Sequence, residues 1–193
     1  DSNVILHSAG DGQWEHQPYD PGFTFNGIWG LDADDVYIVG PGVVHRAGSV
    51  WQSPPQKVTG GVPVFAIWGS SASDLYAATG KANDSTIYHS TGDGKWHAQT
   101  TPDASSADAI WGADAHHIYA AADESVLFSS GDGTWTAQLT LPHDTVRAVW
   151  GAGVNAVYAC TQLGRLYRSN GAGGWSEAQE PDPTGHFRCY AVW

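Results

Sequence analysis

Hydrophobic positions in this chain come in short runs bounded by small polar residues, and no segment carries apolar residues at helical spacing. The runs recur in a fixed order. Five of them end in tryptophan: Gly27-Ile28-Trp29, Ala66-Ile67-Trp68, Ala109-Ile110-Trp111, Ala148-Val149-Trp150 and Ala191-Val192-Trp193. These tryptophans are separated by 39, 43, 39 and 43 residues. From each of the first four, a tyrosine follows eight residues later, at Tyr37, Tyr76, Tyr119 and Tyr158, inside a second run. A third run follows (Val43-Val44-His45, Ile87-Tyr88-His89, Val126-Leu127-Phe128, Leu166-Tyr167-Arg168), and a fourth carries the second tryptophan of the repeat. A period near 40 residues built from four strand-like runs predicts a β-propeller with one four-stranded antiparallel blade per repeat.

The small residue two positions before each first-run tryptophan suits the innermost strand, where neighbouring strands crowd a narrow axis. All ten tryptophans (Trp14, Trp51, Trp96, Trp135 and Trp175 being the second set) are expected to lie between blades. Gly-Asp-Gly turns precede Trp14, Trp96 and Trp135, and Gly171-Ala172-Gly173-Gly174 precedes Trp175. Such turns supply positive-φ glycines, and the aspartate can bond its own turn backbone.

Counting units gives the architecture. Four complete blades start near Trp29, Trp68, Trp111 and Trp150. Residues 3–17 supply only a third and a fourth strand, and the segment ending at Trp193 supplies only a first. The expectation is a single domain over residues 1–193, all-β and five-bladed. Its fifth blade joins N- and C-terminal strands and lacks one strand. Either the chain is a piece of a longer repeat protein, or a partner strand or an oligomer contact fills the gap. The absence of an initiator methionine fits a processed or excised chain.

The turns before Trp14, Trp96 and Trp135 resemble the Asp-box hairpin of sialidase-type propellers, shortened by one residue; in that family the box is structural. The wording Ile67-Trp68-Gly69, Asp74-Leu75-Tyr76, Ile87-Tyr88-His89 and Gly94-Lys95-Trp96 is similar to a large family of bacterial secreted or cell-surface propeller repeats. That resemblance covers essentially the whole chain and implies the fold and a secreted or cell-surface location, without naming a ligand. To the tachylectin-like lectins the likeness is in blade number only.

Composition narrows the function. Eight Lys and Arg against 20 Asp and Glu give a net charge of −12, which argues against nucleic acid or an anionic membrane surface as partner. No run of apolar residues is long enough to span a membrane. No Gly-x-Ser-x-Gly, phosphate loop or His-Glu-x-x-His is present. A glycosidase needs two facing carboxylates, and Glu15, Glu124, Glu177 and Glu180 stand in no such context. The chain is therefore read as a non-enzymatic recognition module with no required cofactor. Carbohydrate is the favoured ligand, a surface protein is the alternative, and a hydrolase comes third.

Loops joining the fourth strand to the next first strand, and the second to the third, should share one face, where a rigid scaffold displays variable residues. The candidate ligand-binding residues on it are Tyr19, Asn26, Asp108, Arg147, His186, Arg188 and Tyr190. His7, His45 and His89 occupy equivalent positions in different blades, too far apart to share a metal. A surface Ca²⁺ at Asp32, Asp34 and Asp35 is the one metal alternative, set against ordinary turn residues. Cys160 and Cys189 fall on strands of adjacent blades, either as a disulfide stapling the short blade or as two buried thiols. Asn83-Asp84-Ser85 matches an N-glycosylation acceptor, relevant only in a eukaryotic secretory host.

Overall fold

Inner strands rich in small and β-branched residues set the spacing of the sheets. The computed structural model of the 193-residue chain describes residues 4–20, 22–52, 55–58, 61–82, 85–178 and 189–192. Among them there is no helix, and the strands form four four-stranded sheets and one two-stranded sheet. The first sheet pairs β1 (Ile5–His7) with β2 (Glu15–Gln17). Blade one is β3 (Gly27–Asp32), β4 (Asp35–Val39), β5 (Val43–Ala47) and β6 (Val50–Trp51). Blade two is β7 (Val64–Ser71), β8 (Asp74–Ala82), β9 (Ser85–Ser90) and β10 (His97–Ala98). Blade three is β11 (Ala109–Asp114), β12 (His117–Ala122), β13 (Ser125–Ser129) and β14 (Thr136–Thr140). Blade four is β15 (Val146–Gly153), β16 (Ala156–Thr161), β17 (Leu166–Ser169) and β18 (Trp175–Glu177).

Every ladder between the named strands is antiparallel and joins chain neighbours, and β3, β7, β11 and β15 lie side by side as the inner strands. This is the five-bladed propeller, with the fifth blade short. β1 and β2 are its outer strands, and residues 189–192, which carry its inner run, take no ladder partner among the described residues.

The tryptophan–glycine dyad explains how adjacent blades mesh. A Cβ on Gly112 would meet the Trp68 ring at 2.5 Å, and one on Gly151 would meet the Trp111 ring at 2.7 Å. The Trp68 and Trp111 indoles therefore press against the glycine after the next blade's tryptophan, a place no larger residue could share. The fourth-strand tryptophans close the same interface from outside. Trp135 stands edge-on to Tyr76 at 6.1 Å and Trp175 edge-on to Tyr119 at 6.2 Å. Trp14 departs from this expectation. It is 68% exposed, and it lies in the fifth blade, where β1 and β2 form a two-stranded sheet among the described residues. Trp193 lies outside the described residues.

The Gly-Asp-Gly turns behave as expected. Asp11, Asp93 and Asp132 each accept a bond from the backbone N two residues on, at 2.9, 3.0 and 2.9 Å. In the degenerate turn Asn170 does the same for Ala172 at 2.9 Å. Flanking glycines carry positive φ, +83° at Gly92 and +82° at Gly131, and press on the neighbouring first-to-second-strand turn.

Cys160, on β16, and Cys189 are joined by a disulfide with a Cα–Cα distance of 5.9 Å. The C-terminal segment is thereby tied to the second strand of blade four.

Candidate functional site

Loop geometry on the expected ligand face follows from the two-residue turn between β12 and β13. Ala122 pairs with Ser125, so Asp123 and Glu124 alone reverse the chain. That tight reversal holds Asp123 at φ +46°, a left-handed conformation seldom taken by residues with a side chain. Its carboxylate accepts from the Ser105 backbone N at 2.5 Å and from the Ser105 hydroxyl at 2.8 Å. Glu124 reaches the opposite way, accepting from the His143 backbone N at 2.9 Å. His143 also has positive φ, +70°. The two left-handed non-glycine residues among the described ones thus sit in one small region, held by two acidic latches.

Between these loops opens a cleft of about 500 Å³, the size of a small-ligand site. Asp103, Asp123, Glu124, Ser125, Thr140 and Thr145 give it carboxylate and hydroxyl oxygens, while Ala104, Ala122 and Leu127 form an apolar lining. The lining offers acceptors for a ligand's hydroxyl groups or for a cation, and a surface on which a nonpolar face could rest. Sequence reading missed Ser105, Asp123, Glu124 and His143. A signal was present, since Asp123-Glu124 forces a reversal without glycine, where blade one uses Gly40-Pro41-Gly42.

Of the sequence-predicted site residues, Asp108 and Arg147 come together. They precede the inner runs of blades three and four, and the Arg147 guanidinium donates to Asp108 at 2.7 Å and to Gln162 Oε1 at 2.5 Å. Ser106 Oγ donates to the other Asp108 oxygen at 3.0 Å. This chain of bonds links the loop before blade three to the β16–β17 turn of blade four. Asn26 lies elsewhere, donating from Nδ2 to Val64 O at 2.9 Å across the blade one–two seam. Tyr19 stacks on Trp51 with ring centroids 5.1 Å apart, and burial pushes its phenol above the ordinary range. Tyr190 is exposed beside the disulfide. His186 and Arg188 lie outside the described residues. None of the described candidates lines the 500 Å³ cleft.

The acidic turn Asp32-Ala33-Asp34-Asp35 is organised by protein donors instead of converging on one point. Asp32 accepts from the Asp34 backbone N at 2.8 Å, and Asp35 accepts from His45 Nε2 at 2.5 Å. Among the described residues no group of three or more His, Cys, Asp or Glu is arranged to hold a metal ion.

The histidines form a second constellation, repeated by blade. His45 stacks on Tyr37 at 4.3 Å, its cross-strand neighbour, while bonded to Asp35. In blade two, His89 lies 4.6 Å from Tyr76 and donates to Asp74 at 2.8 Å. Burial first, and the neighbouring aspartate second, push the Tyr37 and Tyr76 phenols far above the ordinary range. Where the third strand carries Phe128 or Arg168 in place of histidine, the aspartate position holds His117 or Ala156. Histidine and aspartate therefore come and go together.

Comparison with known proteins yields structural likeness alone. No family model matches the chain, and no curated protein matches it. It is similar to YCF48 bound to D1 peptide, with TM-score 0.66 and 16% identity over 91% of this chain. It is also similar to the extracellular domain of a one-component system of B. thetaiotaomicron, with TM-score 0.75 and 12% identity over 100% of this chain. An ancestral GH74 enzyme gives TM-score 0.67 and 13% identity over 86%. The chain spans 61%, 28% and 27% of those three proteins. At such identities the likeness establishes the fold. The chain is a β-propeller module.

Proposed function

We propose that this protein is a non-enzymatic extracellular recognition module whose loop face binds carbohydrate in the cleft beside β12 and β13. The observation that carries this reading is the cleft's construction. Residues with carboxylate and hydroxyl oxygens line it together with apolar ones, on loops latched by Asp123 and Glu124. Sugars present paired hydroxyls and a nonpolar ring face, and this lining matches both. Locked loops limit the ordering cost of binding.

A non-catalytic role is supported by how the acids are used. Asp123 and Glu124 each hold a backbone N–H group, a structural use of the two carboxylates. An extracellular setting is supported by the disulfide, since such bonds persist in oxidising compartments. The protein-ligand reading rests on a different region, the edge of β1, which pairs with β2 alone among the described residues.

A glycan array probed with multimerised protein, with calcium and again with chelator, tests the proposal. Selective binding to one sugar family is expected, abolished by Glu124→Ala and unaffected by chelator. A blank array from folded protein, or turnover of a chromogenic glycoside, overturns it.

A further inference from the structure

Blade four departs from the repeat at one corner, and its departures move charge in one direction. Where blades one and two set a histidine of the third strand against an aspartate of the second, blade four has Arg168 and Ala156. In the turn before the fourth-strand tryptophan, Ala172 stands where the other turns carry Asp11, Asp93 and Asp132. Three residues before the second-strand tyrosine, Asn155 stands where blade one has Asp34. In a chain of net charge −12, carboxylates are thus removed around one added cation.

A cleft of about 480 Å³ opens at this corner, lined by described residues of blade four that include Asn155, Arg168, Asn170, Trp175 and Ser176. Arg168 is the one charged residue in that lining. It is exposed, and among the described residues its guanidinium enters no hydrogen bond or ion pair. It rests over the Tyr158 ring, 5.8 Å from the centroid, which leaves the donor fork free.

Asn170 is oriented by its own turn. Its Oδ1 accepts from the backbone N of Ala172 at 2.9 Å and of Gly174 at 3.0 Å. Both bonds use the oxygen, so the Nδ2 donors remain for another acceptor. Gly174 makes room for this amide, since a Cβ there would meet Asn170 Nδ2 at 2.7 Å; the equivalent residues are Gln13, Lys95 and Thr134. The corner therefore combines an unpaired guanidinium, an oriented amide and a wall free of carboxylates.

We propose that this corner is a second binding site, which takes a carboxylate carried on a hydroxylated ring, the chemistry of a uronic acid. The Arg168 fork holds the carboxylate as a bidentate pair, and Asn170 Nδ2 adds a donor. Asn155 and Ser176 serve the ring hydroxyls, and half-buried Trp175 supplies apolar surface. The cleft is larger than a bare anion needs, and its neutral amides and hydroxyls suit a ring bearing one charge. The β15–β16 and β17–β18 turns place it at the opposite end of the blades from the β12–β13 turn. The two clefts also differ in charge, because Asp103, Asp123 and Glu124 would repel a carboxylate from the other.

The test is an NMR titration at constant ionic strength, following the side-chain amides of Asn155 and Asn170. The probes are glucuronate, glucose as its neutral counterpart, and sulfate as a bare anion. Glucuronate should shift both amides saturably and bind at least about tenfold more tightly than glucose or sulfate. Arg168→Gln should reduce its affinity to that of glucose. Ala156→Asp, which rebuilds the acid of blades one and two beside the guanidinium, should do the same. Arg165→Gln removes an exposed arginine outside the lining and should leave the affinity unchanged. Spectral dispersion reports the folding of each variant. No saturable shift with glucuronate, equal binding of glucose or sulfate, a preference that survives Arg168→Gln, or its loss in Arg165→Gln would overturn the proposal. Because the signals come from this corner, the outcome does not depend on whether the cleft beside β12 and β13 takes a sugar.

Discussion

The same repeat position behaves in two ways in this molecule. Ile67, Ile110 and Val149 are 5%, 7% and 5% exposed, whereas Ile28 is 62% exposed. All four precede the inner-strand tryptophan, and their local sequences are nearly interchangeable. What differs is the neighbour. The first three lie where complete inner strands stand side by side, and Ile28 faces the short fifth blade. Burial in a repeat fold is thus conferred by the adjacent unit and not by the residue's own blade.

This contrast can be broken or sharpened by mutation. Ile67→Ala and Ile110→Ala should each cost about 2–5 kcal/mol in urea unfolding, while Ile28→Ala should stay within about 0.5 kcal/mol. Equal costs would mean that Ile28 is covered in solution. Next in size is the staple. Replacing Cys160 and Cys189 together by serine should cost about 2–4 kcal/mol, because the bond closes a loop with a sequence separation of 29. A free-thiol titration of denatured, non-reduced protein should find none among these two.

Smaller effects are expected at the dyads. Gly112→Ala and Gly151→Ala should each destabilise by about 1–3 kcal/mol, since the added Cβ would strike an indole ring. Gly30→Ala should cost less, as its nearest contact among the described residues is the Asp35 carbonyl at 3.2 Å. Melting temperatures of the three variants rank them directly.

The smallest effect is electrostatic. A hydrogen bond from His117, and then one from the His116 backbone N, hold the Asp114 carboxyl below the ordinary range. A folded-state value below the unfolded one means the carboxylate's contribution is present above the unfolded pKa and lost as pH falls through the folded value. A carbon-detected NMR titration should show Asp114 protonating below the usual carboxylate range, and His117→Ala should move it upward.

How much of this could be read from the chain follows from which signals repeat. Blade number, strand order and the short fifth blade were legible because the Trp-Gly and Tyr spacings recur four times. Trp14 departs from the repeat because it lies in the two-stranded sheet of the fifth blade, a difference its local sequence, so like that before Trp96 and Trp135, does not report. The cleft escaped because it is unique to one blade. It depends on the two-residue turn at Asp123-Glu124 and on which loop each carboxylate reaches, and neither is periodic. Asp108 and Arg147 were found by position, yet their chemistry is spent on each other and on Gln162. The His–Asp pairs were overlooked for a related reason. Equivalent histidines stand in different blades, while the partner of each lies ten or fifteen residues earlier on the adjacent strand.

Native-state hydrogen exchange tests most directly the central claim, that a blade's burial is conferred by its neighbours and that the two-stranded sheet lacks it. The amides of Ile5–His7 facing away from β2, and those of residues 189–192, should exchange orders of magnitude faster than those of β9, β13 and β17. Protection of β1 on both edges, equal to that of β13, would contradict it.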